Sequence, residues 1–205
     1  MGLPNLKVGF WTFIGSETLF FGSLIATYMA YAGKSLVGPF PHEPWIDVAL
    51  GRETDGILSI LVTSISAFVL LASSFAMVMA LNGFQTNNRG RARLWILVTA
   101  VLGLLFLGFQ AFEFTEFYHK GLSLQSNLFG SSFFVLTGFH GTHVAFGVLW
   151  LLTIFVMDMR KPIPPRDSLK VELVGLYWHF VDIVWIVIFT FVYLVPVIEE
   201  FGGQR

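Results

Sequence analysis

The stretch Leu128–Met157, LFGSSFFVLTGFHGTHVAFGVLWLLTIFVM, decides the fold. It holds no Asp, Glu, Lys or Arg, and it exceeds the roughly 20 apolar residues that an α-helix needs to cross a bilayer. Its surplus length suits a tilted span or one that begins in the interface. Four other stretches share its character: Val8–Ala32, Gly56–Leu81, Leu94–Phe117 and Val171–Val197. In hydrocarbon each segment must satisfy its own backbone hydrogen bonds, which makes these spans helices. The ten-residue alternating segments of a membrane β-barrel are absent. The expected fold is an all-α integral membrane protein, one transmembrane domain over residues 1–205 with a bundle of five helices.

Composition agrees. The 205 residues are 55% hydrophobic and 12% charged, with mean hydropathy +0.74; soluble domains carry about 25% charged residues. A net charge of −1 offers nothing to track a phosphate backbone, which excludes nucleic acid as a partner. The chain has no cysteine, so disulfides, thiolate metal sites and iron–sulfur clusters are excluded. Lys7, the apolar run after it and Ala30-Tyr31-Ala32 imitate a secretory signal peptide. The run is longer than the about 7–15 residues of a signal core and holds Glu17 in its middle, so it reads as a retained helix. Gly33–Asp55, with Pro39, Pro41 and Pro44, reads as an ordered surface loop; Lys161-Pro162-Ile163-Pro164-Pro165-Arg166 reads as a stiff turn. No internal repeat is visible.

Basic residues set a direction. The N-terminus and the second and fourth connections hold Lys7, Arg89, Arg91, Arg93, Arg160, Lys161, Arg166 and Lys170; the other side holds Lys34, Arg52, Lys120 and Arg205. The positive-inside rule places the N-terminus in the cytoplasm. Tyr28, Tyr31, Trp95, Trp150 and Tyr193 fall near span ends, as interfacial aromatic belts do.

Ionisable residues inside spans are costly and face partners or pathways. Here they are Glu17, His140, His143, His179 and Asp182, with Glu113 and Glu116 near the outer end of the third span. At 1.5 Å per residue, Glu17, His143, His179 and Asp182 all lie roughly 13–22 Å from the inner side, so an interhelical polar cluster is expected. Structural packing, a lipid or subunit contact, and a proton relay are its open roles. His140 and His143 have the spacing for a metal, but the lack of cysteine and the few nearby carboxylates speak against one, and no metal site or catalytic residue is assigned. A haem between His143 and His179 is an alternative. Gly138, Gly141 and Gly147, and the stripe Ser59, Thr63, Ser64, Ser66, Ser73 and Ser74, read as close helix packing.

Four motifs carry a resemblance. They are Gly9-Phe10-Trp11 with Ser16-Glu17-Thr18-Leu19-Phe20-Phe21; Gln110-Ala111-Phe112-Glu113-Phe114; Phe133-Phe134-Val135-Leu136-Thr137-Gly138-Phe139-His140-Gly141-Thr142-His143-Val144; and Tyr177-Trp178-His179-Phe180-Val181-Asp182-Ile183-Val184-Trp185. Through them nearly the whole chain resembles subunit III of haem–copper oxidases. The resemblance implies a non-catalytic subunit with no haem or copper of its own, those cofactors residing in partner subunits. It further implies packing against subunit I, with subunit II and other subunits in the complex, support of proton uptake, and bound phospholipid. By motif, Glu17 matches the family's intramembrane carboxylate, and His143 and His179 its polar positions. Arg160 matches basic residues that face lipid headgroups, and Trp178 and Trp185 are expected at the subunit interface. The long form of the family has two further helices at its start; five-helix versions resemble those of bacterial cytochrome c and quinol oxidases, which implies the bacterial plasma membrane. A quinol oxidase subunit, the accessory protein of a nitric oxide reductase and, more distantly, a stand-alone proton-linked transporter are the alternatives.

Overall fold

The structure, a computed structural model, describes residues 5–32, 34, 45–47, 52–54 and 60–196. Five long helices form it: α1 (Asn5–Tyr31), α2 (Ile60–Gln85), α3 (Arg89–His119), α4 (Leu128–Arg160) and α5 (Leu169–Phe189), the last continued by a π-helical turn over Thr190–Leu194. All five are long and apolar enough to cross a membrane. The helices α2, α3 and α4 run past the expected apolar limits, to Gln85, back to Arg89 and on to Arg160. The backbone ladder continues into the headgroup region, where charged side chains find ion partners, headgroups or water and no longer oppose a helix. The expected proline loop around Pro39, Pro41 and Pro44 lies outside the described residues. Beside it, β1 (Trp45–Asp47) and β2 (Arg52–Thr54) pair antiparallel, with Trp45 opposite Thr54.

Local chemistry places the helix ends. Asn87, at φ 57°, turns the chain between α2 and α3, a left-handed conformation that Asn tolerates. Asn88 then caps α3 by accepting from the Arg91 amide, and Asn127 caps α4 by accepting from the Gly130 amide at 2.7 Å. Gly83 makes the α2–α3 hairpin tight, because a Cβ there would stand 2.7 Å from the Ala92 nitrogen.

The bundle is built around α5. In the most apolar part of each helix, 61% of α5 residues are buried against 6% for α1, so α5 is the axial helix and α1 an outrider. Lipid tails are as apolar as leucine, which leaves close van der Waals packing to hold helices together. Trp178 shows how. Its indole lies between Gly103 of α3 and Gly147 of α4, where added Cβ atoms would come within 2.5 and 2.9 Å of the ring. Its Nε1 donates to Ser73 Oγ of α2 at 2.8 Å. One side chain thus joins four helices. Trp185, two turns on, stacks on His140 and meets the edge of Phe106.

These placements correct the expectation that Trp178 and Trp185 form the subunit interface. They are 0% and 2% exposed, and their partners are glycines and aromatic rings of this same chain. The aromatic belt is corrected in part too: Tyr28 and Tyr193 turn into the core because the bundle interior supplies them with ring and carboxylate partners, whereas Tyr31 stays exposed.

Candidate functional site

The polar residues inside the spans form separate groups at different helix contacts. The first joins α1 to α4. Glu17 Oε2 stands 3.3 Å from His143 Nε2, at the long end of hydrogen-bonding reach. His143 is oriented by its other nitrogen, which contacts the Phe139 carbonyl at 2.8 Å, and by Phe21, whose ring lies edge-on at 5.0 Å. Tyr177 of α5 donates to the His143 carbonyl at 3.1 Å. Position i−4 on the helix explains the Phe139 contact, since that carbonyl faces the same side. Glu17 and His143 together can hold one shared proton or one hydrogen bond between two helices.

The second group joins α2 to α5. Ser74 Oγ bonds His179 Nδ1 at 2.5 Å. Asp182, one turn further along α5, is 3% exposed and lies near Ser74 as well. Ser74 makes its hydrogen bond to His179, however, so neither Asp182 oxygen has one of ordinary geometry. The sequence stripe of small hydroxyl residues on α2 is therefore more than packing: Thr63, Ser73 and Ser74 each bond a side chain of another helix.

His140 joins neither group. It is fully buried, stacked on Trp185 with ring centroids 4.9 Å apart and edge-on to Phe106. Neither of its nitrogens, nor the Trp185 indole nitrogen, has a hydrogen-bond partner among the described residues. The single cluster expected from Glu17, His140, His143, His179 and Asp182 is thus divided by α5, and His143 and His179 engage different helices. Among the described residues no three His, Asp or Glu side chains gather as metal ligands.

Two groups escaped sequence reasoning. Glu113 is buried, with Oε1 accepting from Thr63 at 2.8 Å and from Tyr193 at 3.2 Å, a junction of α2, α3 and the end of α5. Asp158 is fully buried near the end of α4. It accepts from Arg89 at 2.9 Å, from Arg93 at 2.7 Å and from the Ile163 amide at 2.8 Å, while Arg93 also bonds its carbonyl. The only signal of this clamp in the sequence was basic residues next to a span end, which the positive-inside rule already accounts for. Nearby, Lys7 pairs with Glu172 across 165 residues. Arg160 is exposed at the end of a groove lined by Leu149, Leu152, Thr153, Val156 and Met157.

Comparison with known proteins sets this architecture in a family. Residues 3–197 match the family model described as Cytochrome c oxidase subunit III. The chain is 36% identical over 194 residues to Cytochrome c oxidase subunit 3 of Bacillus sp. (strain PS3), covering 95% of this chain and 87% of the relative. It is 35% identical over 187 residues to Quinol oxidase subunit 3 of Bacillus spizizenii, covering 91% and 85%. It is 32% identical over 192 residues to Probable quinol oxidase subunit 3 of Staphylococcus saprophyticus, covering 94% and 90%. With the match running from α1 through α5, the chain belongs to the cytochrome c oxidase subunit III family.

Proposed function

We propose that this chain is the non-catalytic third subunit of a proton-pumping haem–copper oxidase that takes electrons from cytochrome c. The observation that carries this reading is the family match over residues 3–197, with relatives named as oxidase third subunits across nearly their whole length. In this reading the haem and copper belong to partner subunits, and subunit I is the main contact, with subunit II beside it. The complex resides in a bacterial plasma membrane, and the basic residues of the N-terminus and of the second and fourth connections face the cytoplasm. The chain's own polar groups bond helices to one another and supply no reaction centre. Glu17 and His143 form the group best placed to support proton uptake, standing 3.3 Å apart and each about one-fifth exposed. The groove that ends at Arg160 suits a phospholipid, with its tail along the apolar lining and its headgroup at the guanidinium.

Isolating the tagged chain from its native membrane in mild detergent tests this. Haem-containing subunits and oxygen uptake driven by reduced cytochrome c are expected together with it; a preparation free of haem partners overturns the reading. The relatives named quinol oxidase subunit 3 favour one second reading, in which quinol is the donor. Oxygen uptake with quinol but not with cytochrome c would select it.

A further inference from the structure

We propose that a transmembrane helix of a neighbouring oxidase subunit seats in the groove between α1 and α2, and that a carboxyl, amide or hydroxyl side chain on it bonds His179. The inference rests on the reading of the chain as a subunit of an oxidase complex, and it specifies where one partner helix lies.

The groove follows from the packing. The axial helix α5 is covered by α1, α2 and α4, while α1 and α2 scarcely meet each other. A strip of α5 therefore looks outward between them. Leu176 and His179 are half-buried in this strip, and Ile183 and Ile186 are 59% and 43% exposed. On the α2 side, Leu71 and Val78 stand one turn either side of Ser74 and are exposed.

His179 gives this strip a polar anchor. Its Nδ1 bonds Ser74. Its Nε2 makes no hydrogen bond to any described residue, and it is not among the buried unbonded atoms, so it reaches the molecular surface. Nine residues separate His179 from Lys170, or roughly 13 Å along the helix, which puts the nitrogen well inside the hydrocarbon. There a lipid tail has no donor or acceptor to offer, and an unsatisfied polar group costs several kcal/mol. A helix of another subunit can supply the missing partner, because hydrogen bonds between helices are a normal part of membrane packing. The Ser74 bond holds the ring so that Nε2 points away from α2. The interface expected at Trp178 and Trp185 thus moves to a neighbouring face of the same helix.

A photoreactive benzoylphenylalanine at Ile183, an exposed position whose replacement leaves the core intact, tests the seat in the intact oxidase. Irradiation is expected to join this chain to a second oxidase subunit, identified by mass spectrometry of the adduct. Adducts with phospholipid alone, in a preparation that keeps its haem and its turnover, overturn the inference and leave the proposed function standing. A chain that never copurifies with haem overturns both. In a second arm, His179→Phe is expected to release the chain from the complex about threefold faster in detergent, the factor equivalent to the ~0.6 kcal/mol of an average interhelical hydrogen bond. His179→Gln is expected to restore retention. Release from His179→Phe at the wild-type rate would show that the imidazole holds no partner.

Discussion

Removing the Asp158 carboxylate is expected to cost the chain about 3 kcal/mol of stability. The group is fully buried and accepts from two guanidiniums and the Ile163 amide. Losing one member of a buried charge pair costs about 3–5 kcal/mol when the charge left behind is trapped. Here the charges left behind are Arg89 and Arg93, whose side chains are 27% and 35% exposed. Both can turn to water or to headgroup phosphate, which brings the pair's share well below that range, to about 1 kcal/mol. The Ile163 amide has no such escape, and an orphaned donor costs about 1–3 kcal/mol. Asp158→Ala should therefore lose about 3 kcal/mol in mixed-micelle denaturation. Asp158→Asn should lose less, about 1–2 kcal/mol, because its carbonyl still accepts from one donor. The double-mutant cycle is the sharper assay. Arg93→Ala should cost at least about 1 kcal/mol more in the wild-type chain than in the Asp158→Ala variant. Equal costs in the two backgrounds would refute the clamp.

Glu17→Gln should assemble normally; if the Glu17–His143 contact supports proton uptake, this variant slows turnover in the assembled oxidase, and wild-type turnover would reduce Glu17 to a packing role. Glu17→Ala should loosen α1 by only about 0.6 kcal/mol, measured as increased protease sensitivity of the N-terminal segment. Gly103→Val should displace the Trp178 ring, which a Cβ would meet at 2.5 Å, and cost about 1–3 kcal/mol, visible as a shift of tryptophan fluorescence. The chain purified alone should show no haem band in a reduced-minus-oxidised spectrum, and a stoichiometric band would favour the bis-histidine alternative. A single cysteine at Asn87 should stay unlabelled by an impermeant thiol reagent in intact cells, and labelling there would reverse the topology.

The five spans were legible in the sequence because a bilayer imposes one rule on every spanning backbone, and hydropathy reports where that rule applies. Depth along each helix was legible in part: counting residues from the basic ends put Glu17 and His143 both in the middle of the membrane, and the structure brings them together. Direction around the helix was not. The tryptophans of α5 read as an interface because aromatic residues beside polar ones suit a partner subunit. Their burial depends on Gly103 and Gly147, which lie on other helices with nothing to tie them to Trp178 in sequence. Asp158 was obscure for a similar reason. A carboxylate just past an apolar run resembles an ordinary solvated end charge, and only the fold brings Arg89, Arg93 and the Ile163 amide around it.

The outlying position of α1 has a consequence for biogenesis. This helix is translated before the others, yet among the described residues its side-chain partners come last: Phe139 and His143 on α4, and Glu172 and Tyr177 on α5. For most of synthesis it must wait in the membrane as an independent span, with Glu17 lacking its histidine. It can do so because its own serine and threonine hydroxyls bond its own carbonyls, at Thr12, Ser16, Thr18, Ser23 and Thr27, leaving little polar surface to seek a wrong neighbour. Docking of α1 can then be completed only once α4 and α5 are in place.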